Sequence, residues 1–392
     1  MKIKNSQLVL SIVLFILTTL SVTFLLGAKS SSIAYAGPEG WSPISNLNIS
    51  RFAHTATLLP NGKVLVAGGF NGTDGALKSA ELFDPVHGTW SATDNMNFAR
   101  YQHTATLLNN GKVLVAGGSN EELENYLFTA EIFDPVSGEW SITGNMITPR
   151  RRHTATLLPN GKVLVAGGNN TGTENSAELY DPTTGTWSAT GNLITPRGYH
   201  LTATLLLGGK VLVAGGSNIA GGDVKNTAEL YDWKTGTWIP TSNLNTGRFA
   251  HTATLLSNGK VLVAGGHTPD YLTSAELYDP LTDNWSFTGS MNESRRWHAA
   301  ILLANGKVLV VSGYGFNCLN STELYDPLTK AWSNTGALSD TRGYHHSVTL
   351  LLNDQVLVAG GGCSGAYFKT AELFDQGVFP RPYKLFLPAT SK

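Results

Sequence analysis

The amino-acid sequence predicts an all-β fold, a seven-bladed β-propeller of four-stranded antiparallel blades. Three observations predict it. An Arg recurs at Arg51, Arg100, Arg150, Arg197, Arg248, Arg295 and Arg342, and a Trp at Trp41, Trp90, Trp140, Trp187, Trp238, Trp285 and Trp332, both in steps of 47 to 51 residues. Each step repeats the same short apolar runs and turn residues, and no single copy is large enough to bury its own faces. The series opens on a lone outer strand at Trp41 and ends after Ala371-Glu-Leu-Phe374 with no Trp following. The strand at Trp41 is therefore expected to complete the seventh blade and lock the ring.

The third copy shows the elements in order. His153-Thr-Ala-Thr-Leu-Leu158 reads as a short strand. Asn160-Gly161 reads as a two-residue hairpin turn, because both residues tolerate positive φ. Lys162-Val-Leu-Val-Ala166 is continuously apolar, as in a strand covered on both faces, and Gly167-Gly168 ends it. Ala177-Glu-Leu-Tyr180 is the third strand, Asp181-Pro182 opens a turn, and Trp187 begins the outer strand. Asn-Gly recurs at Asn61, Asn110, Asn258 and Asn305, while copy four uses Gly208-Gly209 with one extra residue and copy seven uses Asn353-Asp354. Asp-Pro fails only at Asp232-Trp233 and Asp375-Gln376.

Composition narrows the function classes. The chain has 392 residues, a net charge of -1 and 14% charged residues, so no basic stripe points to nucleic acid. Hydrophobic residues at 42% with 43 Gly suit strands and turns rather than disorder. Lys2 and Lys4 precede the apolar run Leu8 to Leu26, and Ala34-Tyr35-Ala36 offers a cleavage site. Residues 1–36 are therefore expected to be a signal peptide, or an uncleaved membrane anchor, and the body is secreted or held at the cell surface. Residues 37–376 form the propeller, and 377–392 a tail whose Tyr383-Lys-Leu-Phe-Leu387 competes for the closing edge. Cys318 and Cys363 lie in equivalent loops of copies six and seven, which leaves a disulfide between them open in an oxidising compartment.

The double Gly after a Val/Leu run, the Tyr-Asp-Pro and the Trp seven residues after the aromatic resemble the kelch repeat. The resemblance covers residues 41 to 376 and implies binding of partners on the face that carries the variable loops. It does not fix a function, because such propellers host many unrelated activities.

Residues common to all copies are read as scaffold. Glu81, Glu131, Glu178, Glu229, Glu276, Glu323 and Glu372 match the seven Arg in number, which predicts repeated buried Arg-Glu links rather than an anion-binding ring. His54, His103, His153, His200, His251, His298 and His345 read as one seven-membered structural set, and no metal is expected. Of the remaining histidines only His267 lies in a variable loop.

Function is expected where the copies differ. The residues after each Arg are rich in rings and guanidinium groups, the side chains that carry most interface energy. Tyr101, Arg151, Arg152, Tyr199, Arg296, Trp297 and Tyr344 are the candidate ligand-binding residues. Asn71, Asp74, Glu121, Glu122, Glu124, Tyr126, Asp223, Asp270, Tyr271, Phe316 and Tyr367 add to the same face. The expected function is an exported binding module for a protein or glycan ligand, with no cofactor, no nucleic acid, and a membrane only if the first segment is retained. The alternative is a secreted carbohydrate-active enzyme, either an oxidase resembling galactose oxidase or a sugar mutarotase or epimerase. No residue matches a copper ligand position by position. An acid-base isomerase would draw on Arg152, His267 and Glu124.

Overall fold

A computed structural model describes residues 40–121, 126–169, 175–219 and 222–377. The expected leader with its Ala34-Tyr35-Ala36 site, the tail at Tyr383 to Leu387, and Glu122 and Glu124 lie outside the described residues. Among the described residues no helix is long and apolar enough to cross a membrane.

Seven four-stranded antiparallel sheets run in chain order from an inner to an outer strand. Blade 1 is Thr55–Leu58, Val64–Ala67, Ala80–Asp84 and Thr89–Ala92. Blades 2 to 6 repeat it, starting at Thr104, Thr154, Thr202, Thr252 and Ala299. Blade 7 contains Ser347–Leu350, Val356–Ala359 and Ala371–Asp375, and its outer strand is Gly40–Pro43. Trp41 pairs with Phe374 and Pro43 with Glu372, so the chain closes as the sequence predicts. Trp41 also packs on Phe374 at 5.1 Å and donates its indole N–H to Thr322 Oγ1 of blade 6.

The second strand of every blade is wholly buried because blades cover it on both sides. Seven apolar clusters result, each shared by two neighbouring blades. The cluster between blades 7 and 1 joins Val64, Val66 and Phe83 to Leu351, Leu357 and Ala371, with Leu47 plugging the gap from the connecting loop. Met96, Met146, Leu193, Leu244, Met291 and Leu338 fill the equivalent gaps.

The hairpin between the first two strands differs from the expected two-residue turn. In blade 1 the Gly62 amide donates to Leu59 O and the Leu59 amide to Lys63 O, and only Gly62 (φ 83°) adopts positive φ. The connection is a three-residue loop, residues 60–62, so Asn61 is the third residue of the turn that Leu59 opens and the left-handed residue follows it. Blades 2, 5 and 6 close the same way without a proline. Asn61 instead accepts the Lys63 amide through Oδ1. In blade 7, Asp354 (φ 69°) replaces the glycine. Blade 4 closes this turn with the same bonds, Gly209 to Leu206 and Leu206 to Lys210, so its extra residue is not here. It is Gly198, directly after Arg197, and blade 7 carries the same insertion as Gly343.

Candidate ligand-binding face

Antiparallel order sends two sets of connections to one face: strand two to three, and strand four to the next blade. A single bridge joins the two sets in every blade, as Phe52–Phe70, Tyr101–Ser119, Arg151–Asn169, Tyr199–Ser217, Phe249–His267, Arg296–Tyr314 and Tyr344–Gly362. The double glycines permit this closeness. A Cβ on Gly68 (φ 63°) would sit 2.6 Å from Arg100 O, and one on Gly69 (φ 103°) 2.9 Å from Phe52 O.

The seven repeated Arg side chains lie beneath this face and are fully buried. Arg51 donates to Gly68 O, Ser79 O and Glu81 Oε1, the last at 2.7 Å. Glu81 in turn accepts the Asn48 and Ile49 amides of the loop leading to Arg51. The same link recurs in every blade, at 2.7 to 3.3 Å. Each pair spends its hydrogen bonds on fixing the two connecting segments, which is why all copies keep it.

The histidine set needs correction. His54 lies within hydrogen-bond distance of Ser347 Oγ, His103 of Thr55, His153 of Thr104, His251 of Thr202 and His298 of Thr252, each on the preceding blade. Blade 7 supplies His346 to this ring, not His345, and blade 4 supplies Leu201, not His200. The inserted Gly198 and Gly343 preserve the Arg-to-His count while shifting the register by one.

His200 and His345 therefore occupy a different ring. Ala53, Gln102, Arg152, His200, Ala250, Trp297 and His345 are equivalent, all with φ between 48° and 56°. They surround the channel mouth. The His200 and His345 rings stack at 5.9 Å, and the Trp297 indole N–H donates to His200 Nε2 at 3.4 Å. His200, Ala250, Trp297 and His345 line a cavity of about 210 Å³, with His251, His298 and His346 beneath. Burial, reinforced by the Arg152 charge, pushes His345 down to about 4 and His200 well below 6.5. Both rings are neutral at neutral pH.

The structure places the seven candidate residues in two positions. Tyr101, Arg151, Tyr199, Arg296 and Tyr344 sit at the bridges, whereas Arg152 and Trp297 belong to the mouth. Guanidinium groups lie over rings throughout: Arg151 over Tyr126 at 5.0 Å, Arg152 over Tyr199 at 5.1 Å, and Arg296 over Trp297 at 3.8 Å and Tyr271 at 5.1 Å. Phe52 stacks on Tyr367 at 4.9 Å and meets Tyr344 at 6.0 Å. Burial lowers the Arg152 and Arg296 guanidinium groups from their usual value. Cys318 and Cys363 are disulfide-bonded, with Cα atoms 6.0 Å apart, and join the loops of blades 6 and 7 beside Gly343. Sequence reading missed His200 and His345. The extra residue after Arg197 and Arg342 was the available signal.

Residues 41–216 match the KLHDC2/KLHL20/DRC7 Kelch-repeats domain, and residues 248–292 and 295–338 each match the Kelch motif. No curated protein matches the chain in sequence. Among solved structures, a fungal alcohol oxidase of the AA5 family, in complex with copper, is similar with a TM-score of 0.73 and 20% identity over 87% of this chain and 77% of its own. The structure of YjhT is similar with a TM-score of 0.58 and 15% identity over 74% of this chain and 99% of its own. At these identities the likeness is one of fold. The donors at this mouth do not fit a copper ion. Two stacked imidazoles stand there, one of them already accepting an indole N–H, both cysteines are bonded to each other, and among the described residues no three His, Cys, Asp or Glu side chains converge.

Proposed function

The chain belongs to the kelch-repeat family of β-propellers, and from that premise we propose that it is an exported binding module whose protein or carbohydrate ligand docks on the variable loop face. One observation carries the reading: what the copies share is spent on buried links and inter-blade packing, and what they do not share gathers on one rim. That rim presents rings and guanidinium groups, which serve both peptide and sugar recognition. Export is supported by the apolar segment after Lys4 and by the disulfide, since such bonds persist in oxidising compartments.

The test pairs a glycan array with quantitative binding of partners recovered from the same compartment. Arg151→Ala, Arg296→Ala and Tyr344→Ala are expected to weaken binding at least about tenfold. Val86→Ser, on the opposite turn face, is expected to leave it unchanged. Equal loss from both faces would refute the assignment of the ligand to this rim.

The neutral imidazole pair beside Arg152 favours a second reading, acid-base catalysis on a sugar ring. Interconversion of sugar anomers that disappears in His345→Ala would select it over pure binding.

A further inference from the structure

The face opposite the loop rim carries the turns between strands three and four. In blades 1 to 6 the Asp that opens this turn accepts, through Oδ1, the amide two residues on, at 2.9 to 3.0 Å. The residue so held stands at the tip of the turn and is fixed in the same way in each of these blades. What differs is its chemistry. Val86 in blade 1, Val136 in blade 2, Leu281 in blade 5 and Leu328 in blade 6 are 85%, 95%, 93% and 94% exposed. Blades 3 and 4 place Thr183 and Lys234 there. Blade 7 takes its third and fourth strands from opposite ends of the chain and forms no such turn, but Leu352 on its inner turn is 65% exposed. The apolar side chains thus follow one arc through blades 5, 6, 7, 1 and 2, with Leu207 of blade 4 as the exception on this face. Single exposed Val or Leu side chains are ordinary, whereas a one-sided arc at a repeated position marks a contact surface.

The arc is centred on the place where the chain enters the body. Gly40 pairs with Asp375, at the turn end of the third strand of blade 7, so the chain arrives at Gly40 on this face. The apolar run Leu8 to Leu26 precedes Gly40 by thirteen intervening residues. The repeated lysines of the face are matched to acids, Lys63 to Asp84 and its equivalents at 2.9 to 3.6 Å, so this ring of charges cancels. Apolar tips set among paired charges suit the headgroup boundary of a zwitterionic bilayer. A second copy seated on the arc would enclose the entry point of its own leader.

We propose that this arc seats on the bilayer surface, with Val86, Val136, Leu281 and Leu328 entering the headgroup boundary, so that the loop rim faces away from the membrane. This rests on the export reading above, with residues 1–36 kept as the anchor. Thirteen residues span at most about 45 Å, which lets the face reach the surface but leaves the tilt of the body unset by the anchor alone. The apolar tips set it: tethering holds them at high effective concentration, so shallow contacts suffice.

The experiment reconstitutes the full chain into phosphatidylcholine vesicles that carry a spin-labelled lipid quencher at headgroup depth. Both cysteines are bonded to each other, so a single added thiol takes a fluorophore selectively. Thr329→Cys reports beside Leu328, Thr184→Cys at the equivalent turn position of blade 3, and Asp270→Cys on the loop rim, all three sites being exposed. The probe at 329 is expected to lose most of its emission, the one at 184 to keep most of it, and the one at 270 to keep all of it. Replacing the four tips together, Val86→Ser, Val136→Ser, Leu281→Ser and Leu328→Ser, is expected to restore emission at 329 while the chain still floats with the vesicles. Equal quenching at 329 and 270, or quenching that survives the four serines, would overturn the proposal. Disulfide crosslinking of two copies through unlabelled Thr329→Cys would assign the arc to a second copy and overturn it as well. A full chain that does not float with the vesicles removes anchor and seat together. Ligand binding through Arg151, Arg296 and Tyr344 is measured separately, so the binding module stands or falls on its own.

Discussion

His200 and His345 stack their rings 5.9 Å apart although they come from blades 4 and 7. They meet because both face the axis, where side chains from non-adjacent blades converge. The other buried imidazoles lie around the channel in a separate circle, each tied to the blade before it.

These rings make stability depend on pH. His54, His153, His251 and His346 are pushed down to about 3 by burial, and His345 to about 4, from 6.5. As pH falls below 6.5 the unfolded chain takes up protons that the folded chain refuses, so stability declines until pH reaches about 3. The expected loss is on the order of 1 kcal/mol per ring for each pH unit. Urea midpoints measured from neutral pH to about pH 4 check this, and a level or rising midpoint contradicts it.

Glu131→Gln tests the buried links. Arg100 and Glu131 meet at 2.8 Å with neither exposed, so removing one charge strands the other. The expected cost is about 3–5 kcal/mol. Lys112→Gln breaks the half-exposed Lys112–Asp134 pair at 2.9 Å and should cost less than about 1 kcal/mol. Chemical unfolding of the two variants side by side decides, and equal costs would deny the Arg-Glu link its structural role.

Removing the disulfide should loosen the junction of blades 6 and 7. It closes a separation of 45 residues, and the double variant Cys318→Ser with Cys363→Ser is expected to lose on the order of 3 kcal/mol. Thermal melts with and without reductant measure it. A wild-type melting temperature indifferent to reductant would show that packing alone holds the two loops.

Trp41→Ala should act on the far end of the chain. Losing the contacts with Phe374 and Thr322 is expected to cost about 2–3 kcal/mol. Hydrogen exchange should quicken at Ala371–Asp375, the strand that Gly40–Pro43 covers. Unchanged exchange there would argue against closure by this strand.

The fold was legible because its signals are local and repeated: a buried Val-Leu-Val strand, Asp at a turn, and Trp on the outer strand. Closure followed from counting strands at the two ends. The Arg-Glu link was legible from equal numbers of opposite charges. The mouth was not. Arg197 to His200 spans the same interval as Arg51 to His54, so spacing alone placed His200 in the wrong circle, and only Thr202 as the first strand residue reveals the inserted Gly198. The hairpin turn differs because Asn-Gly is only the end of a longer connection: residues 60–62 make a three-residue loop in which Gly62 alone is left-handed, and blades with no proline there do the same.

Pairing of Gly40–Pro43 with Ala371–Asp375 also orders events during biosynthesis. The segment that leaves the ribosome early has no partner until the last blade has been made. A growing chain can stack its first six blades one after another, yet it carries an open seam throughout. Pairing of the two terminal strands removes the open edge and closes the seam.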